Sequence, residues 1–205
     1  HVRSDLSHQL SRPSERIRRD DNRAVPAKVA ISDAIASVFD ALEGGRLAEL
    51  VKPVAAAEQV WILSGETSQA GAHALQSGLS MVRTGVRLLE EHSYATELSD
   101  AGPGDAAIVF DFHRYRRQVS VATRALSDAG VTIVAVTDSP LSPLVEIADT
   151  WCQIEVPPIG PFDSSVPVVL VSELLVARIA KDLQQNATNR IDRIEALWED
   201  TEVFL

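Results

Sequence analysis

Four side chains able to carry positive charge, His113, Arg114, Arg116 and Arg117, fall within five consecutive residues. They open a segment whose apolar spacing predicts a helix from about Tyr115 to Ala129. A helix N-terminus is electropositive, so each cation there is disfavoured by ~0.3–1 kcal/mol unless an anion offsets it. One offset is an internal carboxylate, Asp111 or Glu66. Another is a ligand carrying phosphate or carboxylate, which guanidinium groups bind in a bidentate fork. A plain solvated helix face is the third reading.

A second group lies at Ser64-Gly65-Glu66-Thr67-Ser68. An apolar run hands over there to a helical pattern, so free backbone N–H groups and two hydroxyls, Thr67 and Ser68, form a seat for an anion. The alternative is that Ser68 simply caps its helix. Glu66 is the odd carboxylate of this loop and a candidate base for proton transfer. Other chemistry is poorly supported. Gly65, Ser68 and Gly71 are spaced by three residues, which is not the Gly-x-Ser-x-Gly nucleophile elbow. His73, His92 and His113 lack metal-ligand spacing, and Glu90-Glu91-His92 reads as a solvated loop. Cys152 sits in an apolar run, where a free thiol is packing. No catalytic residue, metal or cofactor is expected.

The elements that must position these groups follow from periodicity. Helices are predicted from about Val25 to Leu42 and from Arg46 to Ala57, separated by Gly44-Gly45. Short apolar runs predict buried strands at 59–63, 86–89, 106–110, 131–136 and 150–156. Helices are predicted between them at about 69–82 and 115–129, the latter stopped by Gly130. A long helix is predicted from Ser164 to about Asn186, then an amphipathic piece from Ile191 to Phe204. Strands alternating with helices imply right-handed crossovers and a covered parallel sheet. The expected fold is α/β, a three-layer α-β-α sandwich with a five-stranded, flavodoxin-like parallel sheet. Ligands in such sheets sit beyond the carboxyl ends of the strands at a topological switch point. That rule selects the loops 64–68, 111–117 and 137–143.

The charge is divided. Six arginines against four acids leave residues 1–25 at +2, so the remainder carries −12 of the total of −10. An acidic body repels a phosphate backbone and is not expected to bind DNA itself. A single cysteine excludes an internal disulfide, in keeping with the cytoplasm. No run approaches the ~20 apolar residues of a membrane span.

The stretches Gly104-Asp105-Ala106-Ala107-Ile108-Val109-Phe110 and Ala129-Gly130-Val131-Thr132-Ile133-Val134-Ala135-Val136-Thr137-Asp138 resemble the sugar isomerase (SIS) domain. So do Ser142-Pro143-Leu144 with Ala148-Asp149, and Phe162-Asp163-Ser164 before the last long helix. The resemblance covers about residues 28–186. The helical pair before the first strand is similar to that of RpiR-type bacterial transcription regulators. Leu10-Ser11-Arg12-Pro13-Ser14-Glu15-Arg16-Ile17 resembles the connector that follows their helix-turn-helix head.

The resemblance implies a connector at 1–25, an SIS ligand-binding domain at 26–190 and a helical extension at 191–205. It further implies a small anionic carbohydrate effector, a homodimer or higher homo-oligomer, and DNA contact only through an N-terminal domain missing from this chain. Sugar-phosphate isomerases share the fold and give the alternative activity. Two loops depart from the family. Where it usually reads Gly-x-Gly-x-Ser, only Ser68 matches, and Glu66 stands in place of a glycine. Where it usually reads Ser-x-Ser-Gly-x-Thr, Asp111-Phe112-His113-Arg114-Tyr115-Arg116 matches at no hydroxyl position. The candidate ligand-binding residues are therefore Glu66, Thr67, Ser68, Asp111, His113, Arg114, Arg116, Thr137 and Ser164.

Overall fold

The computed structural model describes residues 13–18 and 24–204. Most of the expected connector, residues 1–12 and 19–23, lies outside the described residues. The elements run α1 (Pro13–Arg18), α2 (Ala24–Leu42), α3 (Arg46–Ala56), β1 (Val60–Ser64), α4 (Gln69–Val82), β2 (Val86–Leu88) and α5 (Tyr94–Leu98). They continue with β3 (Ala106–Phe110), α6 (Arg117–Asp128), β4 (Thr132–Thr137), β5 (Thr150–Gln153), β6 (Pro158–Ile159), β7 (Phe162–Asp163), α7 (Val166–Leu183) and α8 (Gln185–Asp200).

The five main strands are all parallel, in the order β2-β1-β3-β4-β5. This is the flavodoxin-like order, and its direction reverses between β1 and β3. Ser64 pairs with Phe110 and Phe110 with Val136, so the loops after β1, β3 and β4 leave the sheet side by side.

Alternation along the strands builds two cores. Val60, Ile62, Ala106, Ile108, Phe110, Val134 and Val136 pack against α2, α3, α4 and α7. Their neighbours Trp61, Leu63, Ala107, Val109, Ile133 and Ala135 face α6, α5 and the 144–148 turns. The result is the expected three-layer sandwich. Buried Asp105 pins the turn before β3, accepting from Trp61 Nε1 at 3.1 Å and from the Gln59 and Gly102 amides.

Several elements differ from expectation: α5 is not among the predicted helices, and β5 ends at Gln153, short of the expected 156. The long C-terminal helix breaks at Gln184, where φ 45 and ψ −116 interrupt helical geometry. Neither glycine nor proline marks that point in the sequence. The break lets α8 lie against α4, where Arg190 Nε donates to Ser80 O at 2.9 Å. Residues 158–163 form a small antiparallel hairpin, with Gly160 at φ 61 in its turn. It receives the buried Arg16 side chain of α1, whose guanidinium pairs with Asp163 at 2.7 Å. The helix expected from Tyr115 starts at Arg117, because Asp111 claims the Arg116 amide.

Candidate functional site

Gly65 brings the β1 loop against the β3 loop. Its N–H donates to Phe110 O at 2.8 Å, and a methyl group added to it would lie 2.4 Å from Asp111 Oδ1. Only glycine permits that approach. Ser68 stands at the N-cap position of α4 but makes no capping bond. Its buried hydroxyl instead lies 3.0 Å from both Gly65 O and Phe110 O, stitching β1 to β3.

Asp111 occupies the centre of the switch point. It is 2% exposed, and its Oδ2 accepts the Arg116 amide at 3.0 Å, immediately before α6. Thr137, fully buried at the end of β4, donates its hydroxyl to Asp111 O at 2.8 Å. Burial pushes the Asp111 carboxyl up to about 7, with the nearby Asp138 charge adding to it and the Arg116 and Phe112 amides opposing. Next to it, Asp138 accepts the His113 amide and the Tyr115 hydroxyl, each at 2.8 Å. Burial and Asp138 together hold the Tyr115 phenol up at about 12.

Around this inner network lie the charged groups. Glu66 and Thr67 are exposed on a short 3₁₀ turn after β1, and Glu66 pairs with Arg116 across the two loops. Arg114 is exposed and adopts φ 74, a left-handed conformation that bulky residues rarely take. Arg114 and Arg117 form no ion pair within 4.0 Å among the described residues. Ser164 is separate from this network: its Oγ accepts the Val166 amide at 3.3 Å, at the entry to α7.

Glu66, Ser68, Asp111, Arg116 and Thr137 thus converge through hydrogen bonds, ion pairing and the Gly65 contact. His113 joins them through its backbone, Arg114 and Thr67 lie on the rim, and Ser164 makes no contact with them. Sequence reasoning missed Asp138 and Tyr115. The switch-point rule gave the one signal for Asp138, which follows β4 directly. Cys152 is buried as expected, its thiol pushed up to about 12 by burial with Arg46 opposing. Among the described residues no three histidine, cysteine, aspartate or glutamate side chains cluster to hold a metal ion. No helix among them is long and apolar enough to cross a membrane.

The fold has many counterparts among solved structures. The sugar isomerase domain of an RpiR transcription factor from Sphaerobacter thermophilus superposes with a TM-score of 0.75 at 24% identity, covering 85% of this chain and 99% of that one. The Vibrio vulnificus NanR protein complexed with ManNAc-6P gives 0.68 at 18% identity, covering 87% and 70%. A hypothetical protein of Methanococcus jannaschii, for which 3-hexulose-6-phosphate isomerase function was inferred, also gives 0.68, at 15% identity over 82% and 97%. No curated protein sequence matches the chain significantly. A family model described as the SIS domain matches residues 55–178, from the end of α3 through most of α7 and including every switch-point loop. With the fold and more than half its length matched, this chain belongs to the SIS domain family.

Proposed function

We propose that this chain is the effector-sensing SIS domain of an RpiR-type DNA-binding transcription regulator, with a sugar phosphate or related anionic carbohydrate derivative as effector. The observation that carries this reading is the pair of exposed cations, Arg114 and Arg117, without ion-pair partners among the described residues at the carboxyl edge of β3. Arginines held at a switch point invite an anionic ligand. The ManNAc-6P bound by the NanR neighbour is of that chemical class.

In this reading residues 1–25 are a connector, 26–190 sense the ligand and 191–205 extend the domain. DNA contact belongs to a helix-turn-helix segment outside this chain, since residues 26–205 carry −12. The chain works in the cytoplasm as a homodimer or higher homo-oligomer, with α2 contributing exposed Val29 and Phe39 to the pairing.

The test is a thermal-shift panel of sugar phosphates, sugar acids and polyols, repeated on Arg114→Ala. A stabilising anionic compound whose effect is lost in R114A is expected. Compounds that stabilise both proteins equally would remove Arg114 from the site. Light scattering on the eluting peak, at micromolar concentration, is expected to give a dimer or larger; a strict monomer would count against the regulator.

A sugar-phosphate isomerase is the second reading, favoured by the exposed Glu66 carboxylate at the mouth of the site. Aldose–ketose interconversion abolished by Glu66→Gln would establish it.

A further inference from the structure

The hydrogen bond from the Arg116 amide to Asp111 Oδ2 has a consequence for what the site accepts. Backbone N–H groups at a helix N-terminus, here that of the twelve-residue α6, are where a phosphate of a ligand is ordinarily seated. Here a carboxylate of the protein already sits there, buried and fixed from three sides. Gly65 closes against Asp111 Oδ1, Arg116 N holds Oδ2, and Thr137 holds the backbone carbonyl. A second neighbouring amide, His113 N, is taken by Asp138. The one arginine closest to this seat, Arg116, is neutralised by Glu66.

A dianion passing inward from the rim to this seat would face three carboxylates, Glu66, Asp111 and Asp138, with no unpaired cation beside them among the described residues. Like charges within a few ångströms destabilise one another strongly when water is excluded. The unpaired cations, Arg114 and Arg117, lie outward on the exposed rim.

We propose that Asp111 is a specificity determinant: a built-in carboxylate that bars phosphate from the α6 N-terminal seat and leaves the anionic group of the effector to be met at the rim by Arg114. This rests on the effector-sensing reading for its biological meaning, but its test does not. Inorganic phosphate and sulfate serve as the probes, at pH 8, where a carboxyl titrating near 7 is largely ionised.

Wild-type chain, Asp111→Ser and Asp111→Asn are titrated with each anion by calorimetry and thermal shift, against sodium chloride at equal ionic strength. Wild type is expected to show no stabilisation beyond the chloride control. D111S, which frees the Arg116 amide and offers a hydroxyl, is expected to bind at least about tenfold tighter than wild type, the return of one charge-assisted bond. D111N keeps the shape and removes the charge. A gain in both variants assigns the exclusion to charge, and a gain in D111S alone assigns it to occupancy. Phosphate binding to wild type as tight as to D111S, or no gain in either variant, overturns the proposal. Should D111S fail to fold, Asp111→Ala, which also vacates the Arg116 amide, takes its place, and no gain in either D111A or D111N overturns the proposal. A gain in D111S alongside a carbohydrate panel without any hit would retain the exclusion and sink the effector reading, so the two fail separately.

Discussion

At the scale of single residues, the site gives up stability at Asp111. A carboxyl titrating near 7 when folded, against ~3.9 when unfolded, takes up a proton on folding. Its contribution to stability is fully present below the unfolded value and is lost as pH rises through the folded one. Asp111→Asn is therefore expected to unfold at higher urea than wild type at pH 8, by on the order of 3 kcal/mol, the gap closing toward pH 4. A gap that stayed constant with pH would mean that Asp111 is ionised in the folded protein throughout. The sequence offered Asp111 and Glu66 as internal counter-ions to the cation cluster, and among the described residues the structure shows an ion pair for Glu66 alone of the two. It pairs Glu66 with Arg116 and sets Asp111 on the Arg116 amide. What the sequence did not disclose is the direction of the hydroxyls. Ser68 and Thr137 point at carbonyls inside the fold, a choice made by the register of β1, β3 and β4.

At the scale of elements, the strands were legible because β1, β3 and β4 are near-continuous apolar runs, as strands buried on both faces must be. The β6–β7 hairpin and the break at Gln184 were not, since two-residue strands carry no period and the break has no glycine or proline to announce it. Packing of α4 on α7 depends on two glycines. A methyl group on Gly71 would lie 2.3 Å from Val168 Cγ1 and 3.1 Å from its backbone carbonyl carbon, whereas on Gly78 it meets only the side chain of Val176, at 2.8 Å. Gly71→Ala is expected to destabilise the domain by ~1–3 kcal/mol. Gly78→Ala should cost less, because its clash is milder and alanine recovers ~1 kcal/mol of helix propensity. Equal losses in a denaturant titration of the two variants would contradict this packing.

At the scale of the whole molecule, α1 is held to the body by the Arg16–Asp163 pair, its side chains only 6% and 14% exposed. Asp163→Ala should leave the domain folded but speed tryptic cleavage after Arg16 about tenfold, the loss of one charge-assisted bond of ~1.5 kcal/mol. Mass spectrometry of the early fragments reads this, and an unchanged rate would mean that other contacts hold α1. The Gly71 contact also reaches beyond local packing. Helices α4 and α7 are seated so closely that neither can slide without the other, and together they form one beam with its butt under the loop that holds Glu66 and Ser68. The beam ends at Leu183, and the next residue, Gln184, sits at φ 45, a posture a side chain takes only when its surroundings insist. A push delivered at the mouth would therefore emerge at that bend, the full length of the helix away, where α8 turns back and is tied to α4 through Arg190.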